Sequence, residues 1–253
     1  MLKQKPVVLI MTATIRPPIN TPDLVRLDPK IRTLDYSEAL KYYLNIGSDY
    51  IDRIIFADNS DSDLGDIKGV EKSIKHGKTV EFISFPSGNK YPPEYGKGYG
   101  EMMMLNYVLD NAKIITRSDI FWKATGRLIL MNIESLIKSA PHPYAIYCDL
   151  HNSFKILSLD YFFDPRFYSF TMDGYNNYLR SSADKLKYSH IEHYYFDILK
   201  EGVEPGKVVP RFKKQPIIKG YSAAANDNYF TLRKRTQRQI QQILRYVAPW
   251  AWL

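Results

Sequence analysis

Five short apolar runs, separated by stretches with helical spacing, constrain this 253-residue chain more than any other feature. The first, Val7 to Met11 in PVVLIMTATIRP, offers apolar side chains to both of its faces. Such a strand needs cover on both sides, as in a parallel sheet layered between helices. It leaves through a threonine-rich exit to Pro17-Pro18, which bar a helix from starting there. DYSEALKYYLNIG then has helical spacing, with Gly47 as its stop, and Ile54 to Ala57 forms a second run ending in a polar turn. TVEFISFP is a third strand, closed by Pro86, and GKGYGEMMMLNYVLDNA reads as a glycine-rich loop opening into a helix whose Met102, Met103, Leu105, Val108 and Leu109 face a core. DIFWKATGRLILMN, IESLIKSA and YAIYCDL follow as strand, helix and strand. The order β-α-β-(α)-β-α-β-α-β predicts an α/β fold with a mainly parallel sheet flanked by helices. Ligands on such sheets bind beyond the carboxyl ends of the strands. After residue 150 the pattern loosens into a pair of helices ending near Gly202, a Pro- and Gly-punctuated stretch, and a final helix from Tyr229 towards Pro249. The expected division is a catalytic domain over 1–228 and a C-terminal amphipathic helix over 229–253.

A chain of this length buries enough surface to fold without staples. Its single cysteine, Cys148, allows no internal disulfide, fits a reducing compartment, and reads as a small buried hydrophobe. No secretory signal is visible, and no stretch approaches the roughly 20 apolar residues of a membrane span. The formal charge of +8 points to an anionic partner. No nucleic-acid-binding module is present in the sequence, so nucleic acid is not the expected partner.

Three polar segments interrupt the core pattern. In FADNSDSDL, Asp58 and Asn59 follow a strand, where they serve either as a polar turn or as contacts to a base or ribose. Asp61-Ser62-Asp63 matches a diphosphate-metal tripeptide by letter, but sits after only the second strand. In GKGYGE, Gly96, Gly98 and Gly100 permit close backbone approach and Lys97 supplies charge, although the spacing is neither a P-loop nor a dinucleotide fingerprint. In FWKATGRLILMN, Lys123 and Arg127 flank Thr125-Gly126 inside an otherwise apolar unit. A buried cation needs a carboxylate or an anionic ligand, and arginine suits phosphate. An internal salt bridge and a phosphate contact are both open readings.

Taken in order, FADNSDSDL, GKGYGE, WKATGRLILMN, DPRFYSF and IEHYYFDIL resemble a family of bacterial surface-polysaccharide glycosyltransferases of the O-antigen and capsule type, with a Lys-x-Thr-Gly-Arg motif. The resemblance spans roughly residues 7 to 225 and implies a GT-A-like, Rossmann-related fold that binds a nucleotide-sugar donor, expected to be UDP-linked. It implies nucleoside contacts from Thr12, Thr14, Asp58 and Asn59 with Arg32 nearby, and Lys97 beside the donor. Lys123, Thr125, Gly126 and Arg127 stand where related enzymes carry Asp-x-Asp. That exchange implies that protein cations, and not a divalent ion, neutralise the leaving diphosphate, although Asp149 beside His151 keeps a Mn or Mg site open. Glu192 is the first choice for the base that deprotonates an acceptor hydroxyl, and Asp164 the second. Lys219 and Ser222 in KGYSA either wrap the diphosphate or belong to a connecting loop.

The tail combines Arg233, Lys234, Arg235, Arg238 and Arg245 with Trp250 and Trp252. Ile240, Ile243, Leu244 and Val247 repeat at i, i+3, i+4, i+7, which makes one helical face apolar. Such a helix reads as an anchor on an anionic leaflet, or as a helix packed on the domain or at a dimer contact. The combined expectation is a cytoplasmic enzyme, peripheral on the inner face of the membrane, that glycosylates a lipid-linked glycan. The alternatives are a sugar nucleotidyltransferase, for which TATIRPP is poor in glycine, and a non-catalytic membrane-bound assembly partner.

Overall fold

The computed structural model describes residues 5–18, 21, 24–85, 91–155, 158–187 and 190–247. Its strands are β1 (Val7–Ala13), β2 (Ile51–Asp58), β3 (Thr79–Ser84), β4 (Ile120–Thr125), β5 (Ile129–Leu130), β6 (Ile146–Tyr147), β7 (Leu150–Lys155), β8 (Ser158–Phe163), β9 (Phe167–Thr171), β10 (Val208–Val209) and β11 (Ile218–Lys219). Its helices are α1 (Pro29–Leu44), α2 (Gly65–Ser73), α3 (Gly96–Asn111), α4 (Ile133–Ser139), α5 (Met172–Tyr178), α6 (Ala183–Leu186), α7 (Ile191–Glu201) and α8 (Leu232–Val247). The main sheet has seven strands in the order β10-β6-β9-β4-β1-β2-β3. All neighbours run parallel except β9, which is antiparallel to both β4 and β6. This is the α/β, Rossmann-like architecture that the strand-helix alternation predicts.

Every residue of β1 is buried, because helices cover both faces of the sheet. Val7, Leu9 and Met11 pack with Tyr36, Leu40 and Tyr43 of α1 and with Leu136 of α4. Val8 and Ile10 pack on the other side with Met102, Leu105 and Val108 of α3 and Tyr195 of α7. Met104, not Met103, completes the buried stripe of α3. Cys148 is fully buried, and burial pushes its thiol well above the ordinary value.

Three local features depart from the sequence expectation. Helix α1 begins six residues before DYSEAL, because the Asp28 side chain accepts from Lys30 N at 2.8 Å and Pro29 occupies the first helical turn. The glycines of GKGYGE lie inside the first turns of α3 and do not form a loop. A Cβ on Gly98 would stand 2.7 Å from Ile191 Cβ, and one on Gly100 1.9 Å from Tyr91 Oη. These glycines therefore admit α7 and Tyr91 against the helix. Beyond residue 150 the chain makes the hairpin β7–β8 and returns β9 to the middle of the sheet, which the looser pattern there does not signal.

Candidate functional site

Register sets Thr12 of β1 opposite both Ala57 of β2 and Thr125 of β4, so the carboxyl ends of three parallel strands lie level. Asp58 sits at that edge with no exposed surface. Its carboxylate accepts from Ile15 N at 2.8 Å, Ser60 N at 3.0 Å, Ser62 N at 3.2 Å and Ser60 Oγ at 2.8 Å. Asp58 thus ties the exit loops of β1 and β2 together and does not reach outward to a nucleoside. Asn59, the next residue, is buried. Its Oδ1 accepts from Thr14 Oγ1 at 2.6 Å, and its Nδ2 reaches Gly100 O at 3.5 Å. Arg32 is buried and spends its donors on Thr14 O, Arg26 O and Tyr36 Oη, which shapes the β1 exit from behind. Asp61-Ser62-Asp63 belongs to the loop before α2, where Asp63 accepts from Gly65 N at 2.9 Å.

The two cations of FWKATGR have separate fates. Along β4, Phe121, Lys123 and Thr125 alternate towards α3. Lys123 has no exposed surface and is ion-paired with Glu101 of α3. It also donates to Pro165 O at 2.5 Å and Thr125 Oγ1 at 3.2 Å, which occupies its ammonium group. Burial pulls the Lys123 ammonium below its ordinary value, against the upward pull of Glu101. The internal salt bridge is therefore what Lys123 makes, and its approach to substrate runs through Glu101, whose side chain is 21% exposed and also accepts from Thr12 Oγ1 at 3.3 Å. Glu101 was legible only as the last letter of GKGYGE.

Gly126 turns the chain out of β4 by donating to Thr12 O at 2.8 Å, and a Cβ there would meet the same oxygen at 2.8 Å. The turn delivers Arg127 to a cavity of about 200 Å³ lined also by Asp35, Glu38, Lys219, Tyr221, Asn228 and Phe230. Asp35 is engaged by Arg26 at 2.5 Å, and Glu38 by Lys219 at 2.6 Å. Arg127 donates to Tyr221 O, and among the described residues no carboxylate pairs with it. Burial lowers its guanidinium, with Arg32 adding to the effect. With the other wall charges matched in pairs, the cavity retains one uncompensated positive charge. Ser222 serves the adjoining loop, its Oγ accepting from Ala224 N and Ala225 N.

Across the same edge, the β6 exit brings Asp149 Oδ2 within 2.9 Å of His151 Nε2. Asp164 is held by Arg166 through two bonds of 2.7 and 2.6 Å. Burial alone would raise the Asp164 carboxyl, but Arg166 outweighs it and holds the group below its ordinary value. A carboxylate so held is a poor proton acceptor, so Asp164 is better placed to position Arg166. Glu192, in the first turn of α7 beside the Ile191–Gly98 contact, is half-buried, and its carboxylate has no partner among the described residues. Lys97 is exposed at the start of α3. Among the described residues no three His, Cys, Asp or Glu side chains are grouped to hold a metal. A divalent ion at Asp149 would need further oxygens from its substrate.

Tyr229 joins this edge to the tail. The Arg166 guanidinium lies 4.9 Å from its ring centroid and the Lys234 ammonium 5.2 Å. Arg238 turns inward to donate to Pro216 O at 3.3 Å, and burial, followed by repulsion from Arg166, lowers its guanidinium. Part of the tail's positive charge therefore faces the domain. Arg233 is exposed, the side chains of Arg235 and Arg245 are not described, and Trp250 and Trp252 lie outside the described residues.

No protein-family model matches the chain, and no curated protein matches it. Solved structures with some likeness include 4-diphosphocytidyl-2C-methyl-D-erythritol synthase from Anaerococcus prevotii, with 12% identity, a TM-score of 0.44 and coverage of 94% of this chain and 98% of that one. HddC from Yersinia pseudotuberculosis has 12% identity, a TM-score of 0.40 and coverage of 94% and 99%. A second 4-diphosphocytidyl-2C-methyl-D-erythritol synthase has 12% identity, a TM-score of 0.43 and coverage of 96% and 99%.

Proposed function

We propose that the chain is a transferase acting on nucleotide-linked sugars, and that its reaction is glycosyl transfer to an acceptor hydroxyl. The observation that carries this reading is Arg127, a half-buried guanidinium without a carboxylate partner among the described residues, set in a cavity at the carboxyl end of the sheet. A diphosphate is the ligand class that such a group accepts through paired hydrogen bonds. The nucleoside is assigned to the β1 and β2 ends, beside Thr12, Thr14 and Asn59. Glu192 takes the proton of the acceptor hydroxyl as its oxygen bonds to the sugar carbon. The bond from that carbon to the diphosphate breaks, and Arg127 stabilises the departing negative charge. A lipid-linked glycan is the acceptor that the motif resemblance favours, on the cytoplasmic side of a membrane.

A second reading is nucleotidyl transfer that makes an activated sugar, the class of the synthases named above. The placement of Arg238 near Tyr229 favours it, since a second cation in addition to Arg127 suits a triphosphate, Arg166 being matched by Asp164. One assay separates the two. Purified chain is given nucleotide-sugars with and without acceptor, or nucleoside triphosphates with sugar phosphates, and the released product is identified as nucleoside diphosphate or pyrophosphate. Arg127→Ala is expected to lower kcat/KM about 100-fold in the productive arm, the scale of losing one charge-stabilising donor. Unchanged turnover in that variant refutes the assignment of the cavity.

A further inference from the structure

Helix α8 is mounted the wrong way round for a water-soluble surface. Lys234, Arg238, Gln241 and Gln242 form its half-buried side, and Arg238 and Lys234 contact Pro216 and Asp227 of the domain. Leu232, Ile240, Ile243, Leu244 and Val247 point the other way, exposed to 78, 53, 63, 36 and 69%. A helix ordinarily turns its apolar stripe to the core and its charges to water. Here the polar side meets the protein, and an apolar patch about two turns long, Ile240 to Val247, is left outside, with Leu232 on the same side beyond Thr236.

We infer that this outward face docks on the surface of an anionic lipid bilayer and holds the carboxyl edge of the sheet beside it. Charge selects the occupant. From residue 228 onward the sequence has no Asp or Glu, and Arg233 is exposed next to the stripe. An anionic leaflet supplies both the apolar depth and the opposite charge such a helix needs. A second copy of the same helix would bring like charges together. No helix among the described residues is long and apolar enough to cross a membrane, so α8 would lie in the interface. The helix that carries the face starts three residues after Tyr229, which touches Arg166 at the candidate site. Docking thus places the site within reach of an acceptor whose lipid end stays in the bilayer, and this consequence alone rests on the glycosyl-transfer reading.

The test is sedimentation of the full chain with vesicles of phosphatidylcholine, and with vesicles of equal parts phosphatidylcholine and phosphatidylglycerol. Pelleting with the second and not the first, weakened by salt, is expected. Ile240→Glu with Ile243→Glu should reduce vesicle partitioning about tenfold or more while leaving the melting temperature unchanged, since both side chains are already exposed. Equal recovery with both vesicle types, or undiminished pelleting of the double variant, overturns the inference. So does an unbound chain that elutes as a dimer lost in the double variant, which assigns the face to a second copy. Turnover on a soluble acceptor is measured in parallel, so failure of docking and failure of the transferase reading are told apart.

Discussion

Replacing Lys123 with methionine tests the buried charge at its most exposed logical point. Methionine keeps much of the lysine volume but removes the ammonium, leaving Glu101 without its ion partner and Pro165 O and Thr125 Oγ1 without their donor. Breaking a buried pair from one side costs about 3–5 kcal/mol. Glu101 keeps 21% side-chain exposure, and water can recover part of the loss, so about 2–3 kcal/mol is the expected figure. At roughly 2–4 °C per kcal/mol for a chain of this size, the melting temperature should fall by about 4–12 °C. Lys123→Met with Glu101→Gln removes both charges and should recover most of that loss, because a neutral replacement of a buried pair is often close to neutral in stability. The assay is thermal and urea unfolding of the wild type, both single variants and the double, followed by tryptophan fluorescence. If the double variant is as unstable as the sum of the singles, the two residues are not coupled and the account of FWKATGR given above is wrong.

Two further outcomes are expected. Asp164 has a folded-state value below the ordinary 3.8, so its contribution to stability is present above that value and lost as pH falls through the lower folded one. Asp164→Asn should therefore lower stability at neutral pH and flatten the acid limb of the stability-pH curve, and an unchanged acid limb would show that Arg166 does not hold the carboxylate. Glu192→Gln should keep donor binding, read by thermal shift with a nucleotide-sugar, while turnover drops at least 100-fold, the usual reach of a general base; near-normal turnover removes Glu192 from the mechanism.

The strand-helix alternation was readable because apolar runs such as VVLIM can be covered only between two helical layers. The carboxyl-end exits followed from it, and Thr12, Ala57 and Thr125 indeed lie level. What one-dimensional pattern could not carry was pairing between distant segments. Lys123 and Glu101 meet because β4 turns that side chain to α3, and neither residue's neighbours in sequence announce the other. The return of β9 into the sheet depends on long-range hydrogen bonding after an irregular stretch. The tail illustrates the same limit: its amphipathic period was plain, but which side met the domain was decided by Tyr229, Pro216 and Asp227.

Asp58 has a consequence for how this scaffold can diversify. Three of the four groups that donate to its carboxylate are main-chain N–H groups, at Ile15, Ser60 and Ser62. Every amino acid except proline carries that group. The frame at the strand ends is therefore indifferent to most side chains at positions 15 and 62, while the one carboxylate that organises it cannot be exchanged without opening both loops. The loops can diverge by substitution, with the geometry of the strand ends held constant beneath them.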